Sequence, residues 1–123
     1  ALKMGDEIGG HLMSGHIIGT LAIIHINRKE SSCAFHFALP SIFKPYVLSK
    51  GYIGLNGCSL TIGEVGNDYF VVYLIPETLQ RTTFKYSQKG DLVNLEIDSQ
   101  TQAVVDTTRR VLSELKQKDN LKL

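Results

Sequence analysis

Cysteine is scarce in this chain, and so is a surplus of either charge. Two cysteines among 123 residues, Cys33 and Cys58, form no metal-ligand spacing and are too few for a disulfide scaffold. They read as reduced thiols of a cytoplasmic protein. Thirteen Lys and Arg against twelve Asp and Glu leave a net charge of +1, without the basic surplus that neutralises phosphates in nucleic-acid binding. Long apolar runs are missing too. The longest, Ile17 to Ile26, contains His25 and is well short of the roughly 20 residues of a membrane-crossing helix; no signal peptide is visible either. What is present suffices for a core, since 43% apolar and 20% charged residues make a globular composition rather than a disordered one. The length holds one domain, or one domain with a docked helix, and not two. The chain starts at Ala1 without an initiator Met, and it reads as a piece of something longer.

Period-2 patterning dominates the first hundred residues. Ile17–Ile26 and Cys33–Leu39 are β-branched or aromatic runs around the polar cluster Asn27–Ser32, which predicts a hairpin. Pro40 and Pro45 limit Ser41–Leu48 to a short helix or turn. Gly51–Leu55 and Ser59–Val65 flank Asn56-Gly57, the pair that most readily takes the positive φ values of a tight turn. Tyr69–Ile75 predicts a fifth strand, ended by Pro76. Pro76 to about Thr82 suits one or two helical turns, because proline is tolerated in a helix's first turn. Leu92–Asp98 alternates as a sixth strand. From Thr101 the period changes: Val104, Val105, Thr108, Val111, Leu112 and Leu115 form one stripe of an amphipathic helix. Ser99 or Thr101 is its expected cap, and Gln117–Leu123 reads as a frayed tail. The expectation is an all-β fold, a small antiparallel barrel with short connecting helices and one C-terminal amphipathic helix, whose closure removes exposed sheet edges.

The chemistry-bearing residues leave alternatives open. Gly5 to His16 carries four glycines and two histidines, and such density lets backbone approach a ligand. It lacks the Lys-Ser/Thr ending and following helix of a phosphate loop. His11 and His16 have no third ligand nearby, so no metal site is expected, and each fits a structural role as well as a functional one. Ser59 and Thr61 lie two apart on a strand and face one side of the sheet, where they either hold the polar edge of a ligand or simply meet solvent. Cys58 should face the core as a small hydrophobe.

Longer motifs go further. Asp6-Glu7-Ile8-Gly9-Gly10-His11-Leu12-Met13-Ser14-Gly15-His16, Gly54-Leu55-Asn56-Gly57-Cys58-Ser59-Leu60-Thr61, Leu74-Ile75-Pro76-Glu77-Thr78-Leu79 and Val93-Asn94-Leu95-Glu96-Ile97-Asp98 closely resemble the C-terminal half of the riboflavin synthase alpha-chain family. The likeness runs on into Thr101-Gln102-Ala103-Val104-Val105-Asp106-Thr107. It implies a six-stranded Greek-key barrel over residues 1–98, the second of two similar barrels, followed by a helix and tail over 99–123 that assembles a homotrimer. It also implies the family's reaction, without metal or cofactor. Two molecules of 6,7-dimethyl-8-ribityllumazine give riboflavin and 5-amino-6-(ribitylamino)uracil by transfer of a four-carbon unit. Each active site lies where this barrel faces the N-terminal barrel of a neighbouring subunit. Non-catalytic lumazine proteins of the same fold are the alternative.

Carried over by residue, the resemblance implies substrate contacts at Gly15, His16 and Ile17, at Lys50, at Ser59, Leu60 and Thr61, and at Ile75, Pro76, Glu77, Thr78, Leu79 and Gln80. Ile17, Leu60 and Ile75 would be apolar walls for a pteridine ring, with Ser59, Thr61 and Thr78 at its polar edge. His16 would carry the proton taken from the acidic C7 methyl group, with His11 as a second candidate. Ser59 stands where the N-terminal barrel has a reactive Cys. Asn56 stands where the family's C-terminal barrels usually have Asp, so an acid–base group is replaced there by an amide.

Overall fold

The structure, a computed structural model, describes residues 16–121. The expectations placed on His11 and Gly15 lie outside the described residues, and so does the side chain of His16. Six strands, β1 (His16–Arg28), β2 (Cys33–Ala38), β3 (Tyr52–Leu55), β4 (Cys58–Val65), β5 (Tyr69–Leu74) and β6 (Leu92–Ile97), close in the order β1-β2-β5-β4-β3-β6. Every neighbouring pair is antiparallel. The connections from β2 to β3 and from β5 to β6 cross between non-adjacent strands, which makes the barrel a Greek key. The expected six-stranded barrel is the one observed. β1 runs longer than its apolar core suggested, through Arg28, because Asn27 and Arg28 still pair with Ala34 and Cys33.

Alternation explains the core, and bulges explain where alternation breaks. On β6, Val93, Leu95 and Ile97 are buried, while Leu92 and Asn94 are exposed and Glu96 is half-buried. On β4, Cys58, Leu60 and Ile62 point inward. The register then shifts between Ile62 and Val65, so Gly63 and Glu64 both face out before Val65 returns to the core. On β1 the shift between Ile23 and His25 does the same around Ile24 and His25.

Four phenylalanines, Phe35, Phe37, Phe70 and Phe84, have 0% exposure, and burying each contributes about 1.5–3 kcal/mol. Phe37 stacks on Phe70 at 5.2 Å and Phe84 meets Phe35 edge-on at 5.4 Å. Phe84 enters from a single 3₁₀ turn, Thr83–Tyr86, that the sequence pattern did not reveal; the Thr82 hydroxyl accepts the Phe84 N–H at 3.3 Å and caps it. Phe43, on the 3₁₀ turn Ser41–Tyr46, lays its ring where a Cβ on Gly19 would come within 2.5 Å.

After the short helix α1 (Pro76–Arg81) and β6, helix α2 runs from Ser99 to Leu121. Its cap is neither Ser99 nor Thr101, as expected, but Asp98, whose carboxylate accepts the Thr101 N–H at 3.2 Å. An anion there also suits the positive end of the helix dipole. The expected fraying from Gln117 is corrected as well, since the helix continues through Leu121. α2 seats on the turn Ser41–Tyr46, where the Tyr46 hydroxyl donates to Asp106 Oδ1 at 2.6 Å. Its apolar stripe does not cover the barrel: Val104, Val111, Leu112 and Leu115 are 44–60% exposed.

Candidate functional site

The β3–β4 turn sets the register of the site. Asn56 and Gly57 both have positive φ, 50° and 81°, and this two-residue turn matches the right-handed twist of the strands. It pairs Leu55 with Cys58, Gly54 with Ser59, Ile53 with Leu60 and Tyr52 with Thr61. Ser59 and Thr61 therefore share the outer wall of the barrel, as their spacing predicted. Thr61 is exposed and Ser59 is 3% exposed.

Cross-strand partners present their side chains on one face, and the pairing extends this wall around the barrel. Gly54 also pairs with Glu96, and Glu96 with Ile17. Ile17, Glu96, Gly54 and Ser59 thus form one row across four strands, with no side chain at its glycine. On the other side Ile62 pairs with Val72, which sets Tyr73 next to Thr61, and Ile75 follows directly after the end of β5. Ile17 and Ile75 are 55% and 56% exposed, large apolar groups at the two ends of a polar-centred strip. Lys50 borders it. Its N–H donates to the Ile62 carbonyl at 2.9 Å, and its φ of 66° is a left-handed conformation costing a non-glycine residue about 1–2 kcal/mol. Such strain persists where surrounding structure enforces it, commonly at ligand clamps.

The remaining expected contacts divide. Leu60 is 3% exposed and belongs to the core, so its side chain does not wall an outer-face ligand; only its backbone borders the strip. At α1, Pro76 occupies the first turn, and the N–H groups of Glu77 and Thr78 have no acceptor within the helix. Glu77 pairs with Arg81 at 3.1 Å in solvent, Gln80 is exposed, Thr78 is half-buried and Leu79 packs on the core. Asn56 does not join the strip. Its Oδ1 accepts the Asn94 N–H at 2.7 Å while its own N–H donates to the Asn94 carbonyl at 3.0 Å, so the side chain imitates one more rung of the β3–β6 ladder. It borders a separate open hollow of about 300 Å³ with Thr83, Tyr86 and Leu92.

Burial pushes the Cys58 thiol up from its ordinary value, and the Glu96 charge adds to this, which keeps it protonated at neutral pH and inert. Among the described residues no three His, Cys, Asp or Glu side chains gather as a metal site, and no helix is long and apolar enough to cross a membrane. Glu96, Gly54, Tyr52 and Tyr73 were missed as site neighbours. The Asn-Gly turn held the signal for two of them, because its register alone places Gly54 opposite Ser59 and Tyr52 opposite Thr61.

Comparison with known proteins converges on one family. The profile of the lumazine binding domain matches residues 14–98. The chain is 53% identical over 114 residues to riboflavin synthase of Escherichia coli (strain K12), covering 92% of this chain and 54% of that protein. It is 47% identical over 113 residues to that of Chlamydia pneumoniae, covering 92% and 54%. It therefore spans about half the length of these relatives. Among solved structures it resembles LumP complexed with riboflavin, with a TM-score of 0.67 and 26% identity over 76% of this chain and 50% of that one. LumP complexed with 6,7-dimethyl-8-(1'-D-ribityl) lumazine gives 0.65 and 26%, over 68% and 48%.

Proposed function

The chain belongs to the lumazine binding domain family, and on that premise we propose that it is the C-terminal half of a riboflavin synthase, holding one 6,7-dimethyl-8-ribityllumazine on the outer wall of its barrel. The observation that carries this reading is the convergence of Ile17, Ser59, Thr61 and Lys50 along one strip, although they come from two strands and a connection. Ile17 and Ile75 bracket the ring, Ser59 and Thr61 meet its polar edge, and the free N–H groups of Glu77 and Thr78 donate to a ring carbonyl. The ammonium of Lys50 serves the ribityl hydroxyls. His16, at the start of β1, moves the proton of the C7 methyl group.

The partner barrel of a neighbouring subunit supplies the second lumazine and the reactive thiol. Holding two identical substrates face to face removes entropy from the encounter, an effect worth about 7–11 kcal/mol in favourable cases. Residues 1–98 form the lumazine-binding unit and 99–123 the assembly element, the open stripe of α2 being buried in a homotrimer in the cytoplasm. A fluorescence titration with lumazine or riboflavin tests the site: the ligand's emission is quenched on binding, and the paired Ser59→Ala and Thr61→Ala substitutions weaken binding about tenfold or more. Unchanged affinity in that variant removes the assignment.

A further inference from the structure

Thr61 has Tyr52 across the β3–β4 pair and Tyr73 on its β5 side, and the placement of Tyr73 is constrained from two sides. The bulge between Ile62 and Val65 turns Gly63 and Glu64 together onto the outer wall. A Cβ on Gly63 would stand 2.7 Å from Cε2 and 3.0 Å from Cδ2 of Tyr73, closer than non-bonded carbons approach, so only glycine admits the ring there. The Tyr73 hydroxyl donates to Glu64 Oε1 at 3.0 Å. That bond raises the phenol's pKa above its ordinary value and keeps it a donor. Gly63 lies diagonally from Tyr73 on the side away from Ser59 and Ile75, so the ring leans off the strip. Yet the side chain is 50% exposed, and no core packing fixes it.

Covering a glycine with an aromatic ring stabilises a strand in itself, and Tyr69 over Gly66 and Phe43 over Gly19 do so here. Tyr73 alone of these three rings has an acidic tether and a place beside Thr61. We propose that Gly63 and Glu64 form a latch that parks Tyr73 at the end of the strip. Tyr73 is then a specificity-determining wall that limits the length of planar heteroaromatic ligand admitted. Released, the phenol swings over Thr61 and competes with the ligand for its hydroxyl. The inference rests on the outer-wall site proposed above.

Riboflavin is the probe, titrated by fluorescence against this chain and its variants, with urea midpoints measured in parallel. Gly63→Ala is expected to raise Kd about tenfold, and Gly63→Ala with Tyr73→Ala to restore it to within about twofold of the parent, a rescue that a purely structural role of the ring does not give. Glu64→Ala is expected to weaken binding several-fold, while Glu64→Gln, whose amide oxygen still accepts the phenol, keeps it. Should Gly63→Ala fail to fold, the Glu64 pair carries the test. The latch is overturned if the double variant binds as weakly as Gly63→Ala, or if Glu64→Ala binds like the parent while Ser59→Ala/Thr61→Ala weakens binding. A parent chain that leaves riboflavin emission unchanged, or a Ser59/Thr61 variant of full affinity, overturns the outer-wall site and the latch with it.

Discussion

Replacing Asn56 by alanine separates what this residue does for the fold from what the family resemblance assigns it in catalysis. Two of its features are lost. Alanine at a φ of 50° incurs the left-handed penalty that asparagine largely escapes, about 1 kcal/mol, and the Asn94 N–H loses its 2.7 Å acceptor, worth about 0.5–1.5 kcal/mol. The hydrogen bond is exposed, so water compensates part of it, and the expected destabilisation is about 1.5–2 kcal/mol. With a urea m-value of about 1–3 kcal/mol/M for a protein of this size, the midpoint falls by about 1 M. Asn56→Asp keeps both an acceptor oxygen and tolerance of positive φ, and should unfold within about 0.5 kcal/mol of the parent. Asn56→Gly keeps only the backbone freedom and should fall between the two. Equal midpoints for the Ala and Asp variants would refute the assignment of this side chain to the β3–β6 ladder. Because the amide is engaged with Asn94 and away from the strip, riboflavin affinity should be the same in all three variants.

Two further expectations concern α2. Val111→Asp with Leu115→Asp places two charges on the exposed stripe; the sedimenting mass should fall towards the 13.6 kDa of a single chain while the urea midpoint holds, and an unchanged mass would exclude the stripe as an assembly surface. The hydrogen bond to Asp106 raises the pKa of the Tyr46 phenol. Its stabilising contribution is therefore complete below the ordinary tyrosine value near 10 and is lost as pH climbs through the raised one. Tyrosinate absorbance should show Tyr46 ionising late, and Asp106→Ala should return it to the ordinary range.

The parts of the fold that depend on local pattern were legible. Period-2 alternation located all six strands, the Asn-Gly pair its turn, and the change of period α2. Bulges were not legible, because the extra residue at Gly63–Glu64 is set by the strand opposite and carries no composition signal of its own. Asp98 was read as the end of a strand because Val93 to Ile97 alternate up to it, and its second role as helix cap depends on where the chain turns. Within the candidate site, the same-face placement of Ser59 and Thr61 followed from spacing alone, while the inclusion of Lys50, Ile17 and Ile75 followed only from the family resemblance. The core-facing side chain of Leu60 was not legible from the motif, which transfers residues without saying which face they occupy. The neighbours Glu96 and Tyr73 needed pairings between strands distant in sequence, which no window of local pattern contains.

β1 belongs to two partners at once. Its first half pairs with β6, from His16↔Ile97 to Ala22↔Leu92, and its second half with β2. Zipping β1 to β6 joins segments some 70–80 residues apart, a loop whose length term alone costs about 4 kcal/mol. The hairpin of β1 with β2 and the meander of β3, β4 and β5 have far shorter loops and form on faster clocks. Loop-closure entropy therefore predicts that the seam closes last. Until it closes, Ile17 is a stranger to Glu96, Gly54 and Ser59, so the candidate strip gains its β1 end only with the finished barrel.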